Sequence, residues 1–239
     1  MSRALPSLWD LEADVVVVGF GGAGFAASVT AHDAGADVLI LEKAPEGKHG
    51  GNTKVAGQGY LNTSDPIEAA KYLRALCGPY TVPEEMVLVW ADEMCRNNDW
   101  LASLGADPQE HQHQPVGIEF PELPGAFSTH KFHDGPKYGY SLTWKRFESL
   151  VRERPIRVEF ETPGQELIQD GASGEIRGIW AERNGQRIAV KARKAVILTC
   201  GGFENNQEMI RNYLPGLPCC YTSGSPYNTG DGVAMGLSV

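Results

Sequence analysis

Basic charge is scarce in this sequence: 21 lysines and arginines stand against 30 aspartates and glutamates, a formal net charge of −9. Binding along a phosphate backbone needs a basic face that releases counterions, so nucleic acid is excluded as the main partner. Cysteine is scarce too. The five present, Cys77, Cys95, Cys200, Cys219 and Cys220, are an odd set with no CxxC spacing, which argues against a disulfide framework and against a zinc site. Neighbouring cysteines bridge only through a strained ring, so Cys219 and Cys220 read as partly buried thiols rather than a redox pair. Reduced thiols fit a cytoplasmic setting. No apolar run reaches the ~18 residues of a membrane span, so no transmembrane segment is expected. Residues 1–14 hold Asp10, Glu12 and Asp14 with one basic side chain, and lack the charged start and long apolar run of a signal peptide. What is left, 42% hydrophobic and 21% charged residues over 239 positions, is the composition of a chain that folds around a core.

The informative segment comes first. Val15–Val18 is a continuous β-branched run, as expected of a strand buried on both faces of a parallel sheet. Gly19-Phe20-Gly21-Gly22-Ala23-Gly24 turns directly into a helix of small residues that stops near Gly35, and Val38–Leu41 is the next strand. This is a βαβ unit. From Asp65 to Gly105 the pattern is helical, with Thr81-Val82-Pro83-Glu84 spaced as a capping box and Gly105 as a stop. Met86, Trp90, Met94, Leu101 and Leu104 keep to one face and read as core. Residues 106–140 show no period, which is long for a loop and suits a lid or a substrate-side excursion.

A helix near Leu142–Val151 follows, then strands around Val158, Leu167 and Ile179. Asn184-Gly185 marks a hairpin, and Ala195–Thr199 is a second fully apolar strand that runs into Gly201-Gly202. The expected fold is a doubly wound, mostly parallel α/β sheet of the Rossmann type, with an antiparallel hairpin region and a helical and loop insertion over residues 61–150.

The glycine loop carries chemistry because of its context. Gly19 permits the tight turn, Gly21 lets a pyrophosphate approach the backbone, and Gly24 permits close helix packing. The helix start offers oriented N–H groups to phosphates. Glu42 ends the second strand 18 residues after Gly24, where a carboxylate can accept hydrogen bonds from an adenosine ribose and would repel a 2′-phosphate. The competing reading is a structural turn followed by a surface glutamate. Taken singly, Gly201-Gly202 is a turn after a strand and Asp231 a turn aspartate; their co-occurrence with the nucleotide loop favours a flat ligand approached by main chain without Cβ atoms.

Other polar residues are discounted. His111 and His113 have no carboxylate or cysteine at a matching spacing, so no metal is expected. His130 and His133 read as loop residues, the alternative being polarisation of a substrate carbonyl or carboxylate. Tyr138 and Tyr140 flank Gly139 and read as packing, the alternative being a proton donor.

Gly50-Gly51-Asn52-Thr53-Lys54, Thr199-Cys200-Gly201-Gly202-Phe203-Glu204-Asn205 and Asn228-Thr229-Gly230-Asp231-Gly232 follow the first loop in order. Together the four motifs resemble the FAD-binding half of the fumarate reductase and succinate dehydrogenase flavoprotein superfamily, in its soluble branch with the 3-ketosteroid dehydrogenases. The resemblance covers nearly the whole chain and does not choose a member. It implies FAD as cofactor, with Gly19, Gly21, Gly22, Ala23 and Gly24 at the pyrophosphate, Glu42 at the ribose, and Lys43 as a further cofactor-binding residue. Gly51, Asn52 and Thr53 would lie along the pyrophosphate and ribitol, and Gly57, Gln58 and Gly59 would run past the ring. Gly164 would meet the adenine, and Gly201, Gly202 and Asp231 would complete the pocket. Gln58 departs from the family's denser run of alanine and glycine.

The implied activity is hydride transfer to or from a carbon–carbon bond beside a carbonyl or carboxylate of a small-molecule substrate. The alternatives are another FAD oxidoreductase such as an amine oxidase, or a non-catalytic nucleotide-binding fragment. The chain stops at Val239, where the family inserts a capping domain before a return segment. The expectation is therefore an incomplete FAD-binding domain over 1–239 with no assignable catalytic residue. On its own it should bind FAD weakly, turn over nothing useful and self-associate along its unfilled seam.

Overall fold

The computed structural model describes residues 5–111, 120–136, 142–214, 216 and 222–239. The readings on His113, Tyr138, Tyr140, Cys219 and Cys220 lie outside the described residues. Two compact units divide the chain: Met1–Ala56 with Phe147–Val239, and Gly57–Arg146.

In the first unit β1 (Leu11–Val18), α1 (Gly22–Asp33) and β2 (Val38–Leu41) form the expected βαβ unit. β1 and β2 pair in parallel from Val15↔Val38 to Val18↔Leu41, and β2 is buried along its whole length. α1 begins at Gly22, inside the glycine loop. Further along come β6 (Arg157–Glu159), β7 (Gly164–Gln169), β8 (Ile176–Arg183) and β9 (Gln186–Leu198). They complete a six-stranded sheet in the order β6-β2-β1-β9-β8-β7. β6, β2, β1 and β9 run parallel, and β9, β8 and β7 are antiparallel. This is the largely parallel α/β architecture read from the sequence.

β9 joins the two halves. Asn184 and Gly185 take positive φ (53° and 73°) in the hairpin turn, so the strand leaves antiparallel to β8. It then continues past a register shift to pair in parallel with β1 as far as Val18↔Leu198. The hairpin strand and the apolar strand expected separately from the sequence are one strand of 13 residues. Val16, Val18, Leu39, Leu41, Ile179, Val190 and Met235 pack in the core on this sheet. At 25 cal/mol per Å² of apolar surface removed from water, each fully buried Leu or Ile stabilises the fold by roughly 1.5–3 kcal/mol. α6 (Leu142–Arg152) brings Phe147 onto Phe25 of α1, ring centroids 3.8 Å apart and nearly parallel.

The second unit departs further from expectation. α3 (Pro66–Leu76), α4 (Glu84–Met94) and α5 (Asn97–Ser103) are three helices. Pro66 at the first position and Asp65 accepting from Glu68 N–H start α3. α4 is capped by Pro83 with no side-chain cap, so the capping box read at Thr81–Glu84 does not form. Val87, Ala91 and Met94 are its buried residues. Met86 is 60% exposed, and the chain breaks between α4 and α5, so the apolar stripe does not continue as one face. The stretch read as loop contributes β4 (Pro108–Glu110) and β5 (Thr129–Asp134), which with β3 (Tyr60–Thr63) make a three-stranded antiparallel sheet in the order β3-β5-β4. Among the described residues no helix is long and apolar enough to cross a membrane, and no group of three or more metal-ligating side chains comes together.

Candidate functional site

A cavity of about 560 Å³ opens where β1, β2 and β9 end. Parallel strands that finish together leave a crevice at their carboxyl ends, and loops from separate parts of the chain line it. Here the lining comes from Val18–Ala23, Leu41–Ala44, Lys48, His49, Gly51–Thr53, Gly164, Leu198–Gly202 and parts of the segment from Ser225 to Val233. All belong to the first unit.

The glycines in this wall have different causes. A Cβ on Gly24 would collide with the Gly19 carbonyl, and one on Gly19 with the Thr199 carbonyl, so the packing of α1 and β9 against the loop demands both. Gly21 is unlike them. Its backbone (φ −102°, ψ −162°) is open to any residue, and a Cβ would come no nearer than 3.7 Å to another protein atom, the Gly50 carbonyl oxygen. A side chain there would extend into the cavity. The missing side chain leaves room for a ligand that must touch main chain, which is what a pyrophosphate at a helix start requires. As N-cap, Gly21 also supplies no side-chain acceptor to α1; the Gly22 N–H donates to Thr53 Oγ1 at 3.1 Å.

Glu42 is buried, 6% exposed. Its Oε2 accepts from Phe20 N–H at 2.6 Å and its Oε1 from Ala44 N–H at 2.7 Å. Both oxygens are thus hydrogen-bonded, as a buried carboxylate requires, and each keeps a second lone pair for a hydroxyl. Lys43 points to the far wall, where Nζ donates to Thr229 Oγ1 and Asp231 Oδ2, both at 2.6 Å. Thr229 Oγ1 donates to the other oxygen of Asp231 at 2.8 Å. Asp231 opens a short helix (Asp231–Leu237), and its charge is neutralised by Lys43 rather than facing the cavity alone.

Asn52 joins two motifs. Its Oδ1 accepts from Ser225 N–H and its Nδ2 donates to Glu204 Oε1, both at 2.7 Å. Asn228 Nδ2 donates to the same Glu204 oxygen at 2.6 Å. Partial burial pushes the Glu204 carboxyl up, but hydrogen bonds from Asn228, the backbone and Asn52 outweigh it and hold it below its ordinary value. Cys200 is the thiol in the wall. Burial, and secondarily Asp231, push it up to about 11, and Sγ donates to the Val18 carbonyl at 3.4 Å, so it is a packed thiol rather than a nucleophile.

Of the residues singled out from the sequence, Gly19, Gly21, Gly22, Ala23, Glu42, Lys43, Gly51, Asn52, Thr53, Gly164, Gly201, Gly202 and Asp231 line this cavity. Gly24 packs behind it against Gly19. Gly57, Gln58 and Gly59 fall in the second unit. There Gln58 has φ 60° and accepts from Trp144 N–H at 3.0 Å, so its side chain is engaged in its own unit. His130 Nδ1 lies 2.8 Å from Glu110 Oε1, a half-exposed pair between β5 and β4. Sequence reasoning missed Phe20, His49, Ser225 and Tyr227 in the wall. Only the position of His49, immediately before Gly50-Gly51, could have drawn attention to it.

The family model described as FAD binding domain matches residues 14–239. Over 238 residues the chain is 30% identical to the NADH:fumarate oxidoreductase of Klebsiella pneumoniae, covering 93% of this chain and 24% of that protein. Over 222 residues it is 33% identical to the urocanate reductase of Eggerthella lenta, covering 85% and 34%. Among solved structures, the 3-ketosteroid-Δ4-(5α)-dehydrogenase of Rhodococcus jostii RHA1 in complex with 4-androstene-3,17-dione superposes with a TM-score of 0.82 at 26% identity, over 97% of this chain and 55% of that one. The chain thus spans about a quarter to a third of the length of these two sequence relatives.

Proposed function

We propose, from the fact that this chain belongs to the FAD binding domain family, that it is the cofactor-binding part of an oxidoreductase acting on a carbon–carbon bond next to a carbonyl or carboxylate. The cofactor is FAD. The observation that carries the reading is the convergence of four sequence motifs, spread from Gly19 to Gly232, on one cavity at the carboxyl ends of a parallel sheet. The names of the relatives support the reaction class: a fumarate reductase, a urocanate reductase and a ketosteroid dehydrogenase all concern unsaturated carbon beside a carboxylate or ketone.

When bound, FAD supplies a two-electron centre that exchanges hydride with a substrate carbon. The chain's own residues bind and orient it. Gly21, Gly22 and Ala23 present main chain at the start of α1 to the pyrophosphate, with Gly19 and Gly24 shaping that loop. Glu42 accepts ribose hydroxyls through the lone pairs its backbone partners leave over. Asn52 and Thr53, tied to Ser225, Glu204 and Gly22, are assigned with Gly51 to the pyrophosphate and ribitol side. Gly164 is assigned to the adenine end and Gly201 and Gly202 to the flavin end through their main chain, the room of a Cβ at each being filled by neighbouring side chains: Ile179 and Val18, Asn228, and Glu204. Lys43 and Asp231 tie the end of β2 to the turn on the opposite wall. Gly57, Gln58 and Gly59 follow directly in the chain and are assigned to the passage along the ring. No catalytic acid or base is assigned.

The test is titration of the purified chain with FAD and with NAD, read by flavin fluorescence and thermal shift. FAD should raise the melting temperature and NAD should not; preferential stabilisation by NAD overturns the cofactor reading. For the whole protein, reduction of fumarate or urocanate, or dehydrogenation of a 3-ketosteroid, is the expected activity. Turnover of amines alone would defeat the reaction class.

A further inference from the structure

Among the described residues, His49 is the one histidine in the cavity wall, and nothing in the proposed cofactor contacts uses it. Its side chain is fully buried. The ring stacks on Phe20 of the glycine loop, centroids 5.0 Å apart at 21°, and tilts against Phe160 at 4.8 Å. Two polar neighbours fix its proton. Nδ1 accepts the Gly47 N–H at 3.2 Å, so Nδ1 must be bare; the proton of the neutral ring then sits on Nε2, which lies 3.2 Å from Glu148 Oε1 of α6. The bond to Gly47 closes the turn that leads into Gly50-Gly51. Lys54 of α2 (Gly51–Val55) donates to the Gly47 carbonyl from the other side.

We propose that neutral His49, in its Nε2-protonated form, is a positioning residue for the cofactor cavity: it holds the 47–51 turn and the Phe20 loop at the spacing that admits the dinucleotide. The inference rests on the FAD reading above and adds a regulation to it. A second proton can enter only at Nδ1, where it meets the Gly47 N–H head on, so protonation opens the turn and separates it from Phe20. The charged groups around the ring are Glu148 and Arg152 of α6, Lys54 of α2 and Glu42 at the end of β2. Arg152 is itself paired with Glu148 and Glu46. Burial is the largest influence and lowers the ring's pKa from its ordinary 6.5, against the opposing pull of Glu148. The neutral form therefore dominates at pH 7, and the arrangement is lost as pH falls below that ordinary value.

The experiment measures the Kd for FAD from pH 5 to 8 on the chain and on its His49→Asn and His49→Leu variants, with circular dichroism confirming that each is folded. Wild type should be flat above pH 7 and weaken as pH falls through the lowered pKa of the ring, by up to about tenfold per pH unit for one linked proton. His49→Asn keeps an acceptor near Nδ1 without titrating, and should bind like wild type at pH 7.5 with a flat profile. His49→Leu should bind about tenfold more weakly at every pH, the scale of one lost buried hydrogen bond. A His49→Asn profile that follows wild type assigns the titration to another group and overturns the proposal. A readout independent of flavin is the ¹⁵N imidazole spectrum of the apo chain at pH 7.5. A ring carrying its proton on Nδ1, or on both nitrogens, also overturns it. If wild type binds no FAD at pH 7.5, the cofactor reading fails, and the tautomer decides this inference by itself.

Discussion

The two ends of the central sheet are built on opposite principles. Where β1, β2 and β9 finish, the chain turns on glycines and its charges are tied to specific partners: Glu42 is buried and accepts from Phe20 and Ala44 N–H, and Lys43 pairs with Asp231 across the cavity. Toward the start of β1 the surface is a lattice of ion pairs. Arg193 contacts Glu12 at 2.6 Å, Asp14 at 2.7 Å and Asp37 at 3.0 Å; Lys194 adds a bond to Asp14 and Lys191 one to Glu12. The register explains the crowding. Ala13 pairs with Ala192 and Val15 with Ala195, so Asp14 alone opposes both Arg193 and Lys194 across a bulge. One end of the sheet has its main chain exposed to a cavity with a buried carboxylate and a partly buried ion pair; the other has its main chain paired and its charges in water. Binding chemistry belongs at the first, where electrostatic interactions are weakly screened, and the second contributes to stability and solubility.

The comparison breaks most sharply at Gly21. Gly21→Val fits the protein and fills the cavity, so FAD affinity should fall by about a hundredfold or more, ~2.7 kcal/mol, while circular dichroism stays native. Undiminished affinity would mean that the ligand does not approach this main chain. Next is Glu42→Ala, expected to weaken FAD by roughly 1–3 kcal/mol in a fluorescence titration. Because the Phe20 and Ala44 N–H groups lose their acceptor, the apo protein should also unfold at lower urea. An effect on urea alone would make Glu42 a structural carboxylate.

The two ends should also separate by pH. FAD affinity at the cavity declines as pH falls through the pKa of His49, which burial holds below its ordinary 6.5, and the ring gains a proton. Hydrogen bonds from Arg193 and Lys191, and for Asp14 from Arg193 and Lys194, hold Glu12 and Asp14 below their ordinary 4.5 and 3.8. Depressed carboxylates contribute stability above those values and lose it as pH falls through the lowered ones, so acid unfolding of the apo chain belongs below about pH 4. Coincident transitions in affinity and in far-UV ellipticity would erase the distinction. The smallest effect is expected for Arg193→Met: a slightly lower melting temperature that converges with wild type in high salt, and no change in FAD affinity, because exposed pairs are screened.

Legibility followed the range of the interactions. Val15–Val18, the glycine loop and Val38–Leu41 were readable because a buried parallel strand is apolar throughout and the turn between strand and helix needs glycine within a few residues. Asn184-Gly185 was readable for the same local reason. The small sheet was not. Tyr60–Thr63 and Thr129–Asp134 pair as Tyr60↔Phe132 through Thr63↔Thr129, across more than sixty residues and without an alternating pattern, so nothing local announces either strand. The capping box at Thr81 had the right letters, yet Pro83 took the cap position. Met86 had the right period, but a helix face is core only if something packs on it.

By itself, then, the sequence determined the βαβ nucleus, the glycines that give its turn, the acidic end of the second strand and the order of four motifs. Those are properties of neighbours along the chain, set by sterics within a few bonds. Only the tertiary structure decided that Lys43 neutralises Asp231 from 188 residues away, that Asn52 and Asn228 share Glu204, that Cys200 is packed rather than reactive, and that His49 is locked between Phe20, Phe160, Gly47 and Glu148. Charge state, tautomer and burial depend on which segments meet when a parallel sheet brings its strand ends together, and that meeting is written in no single stretch of residues.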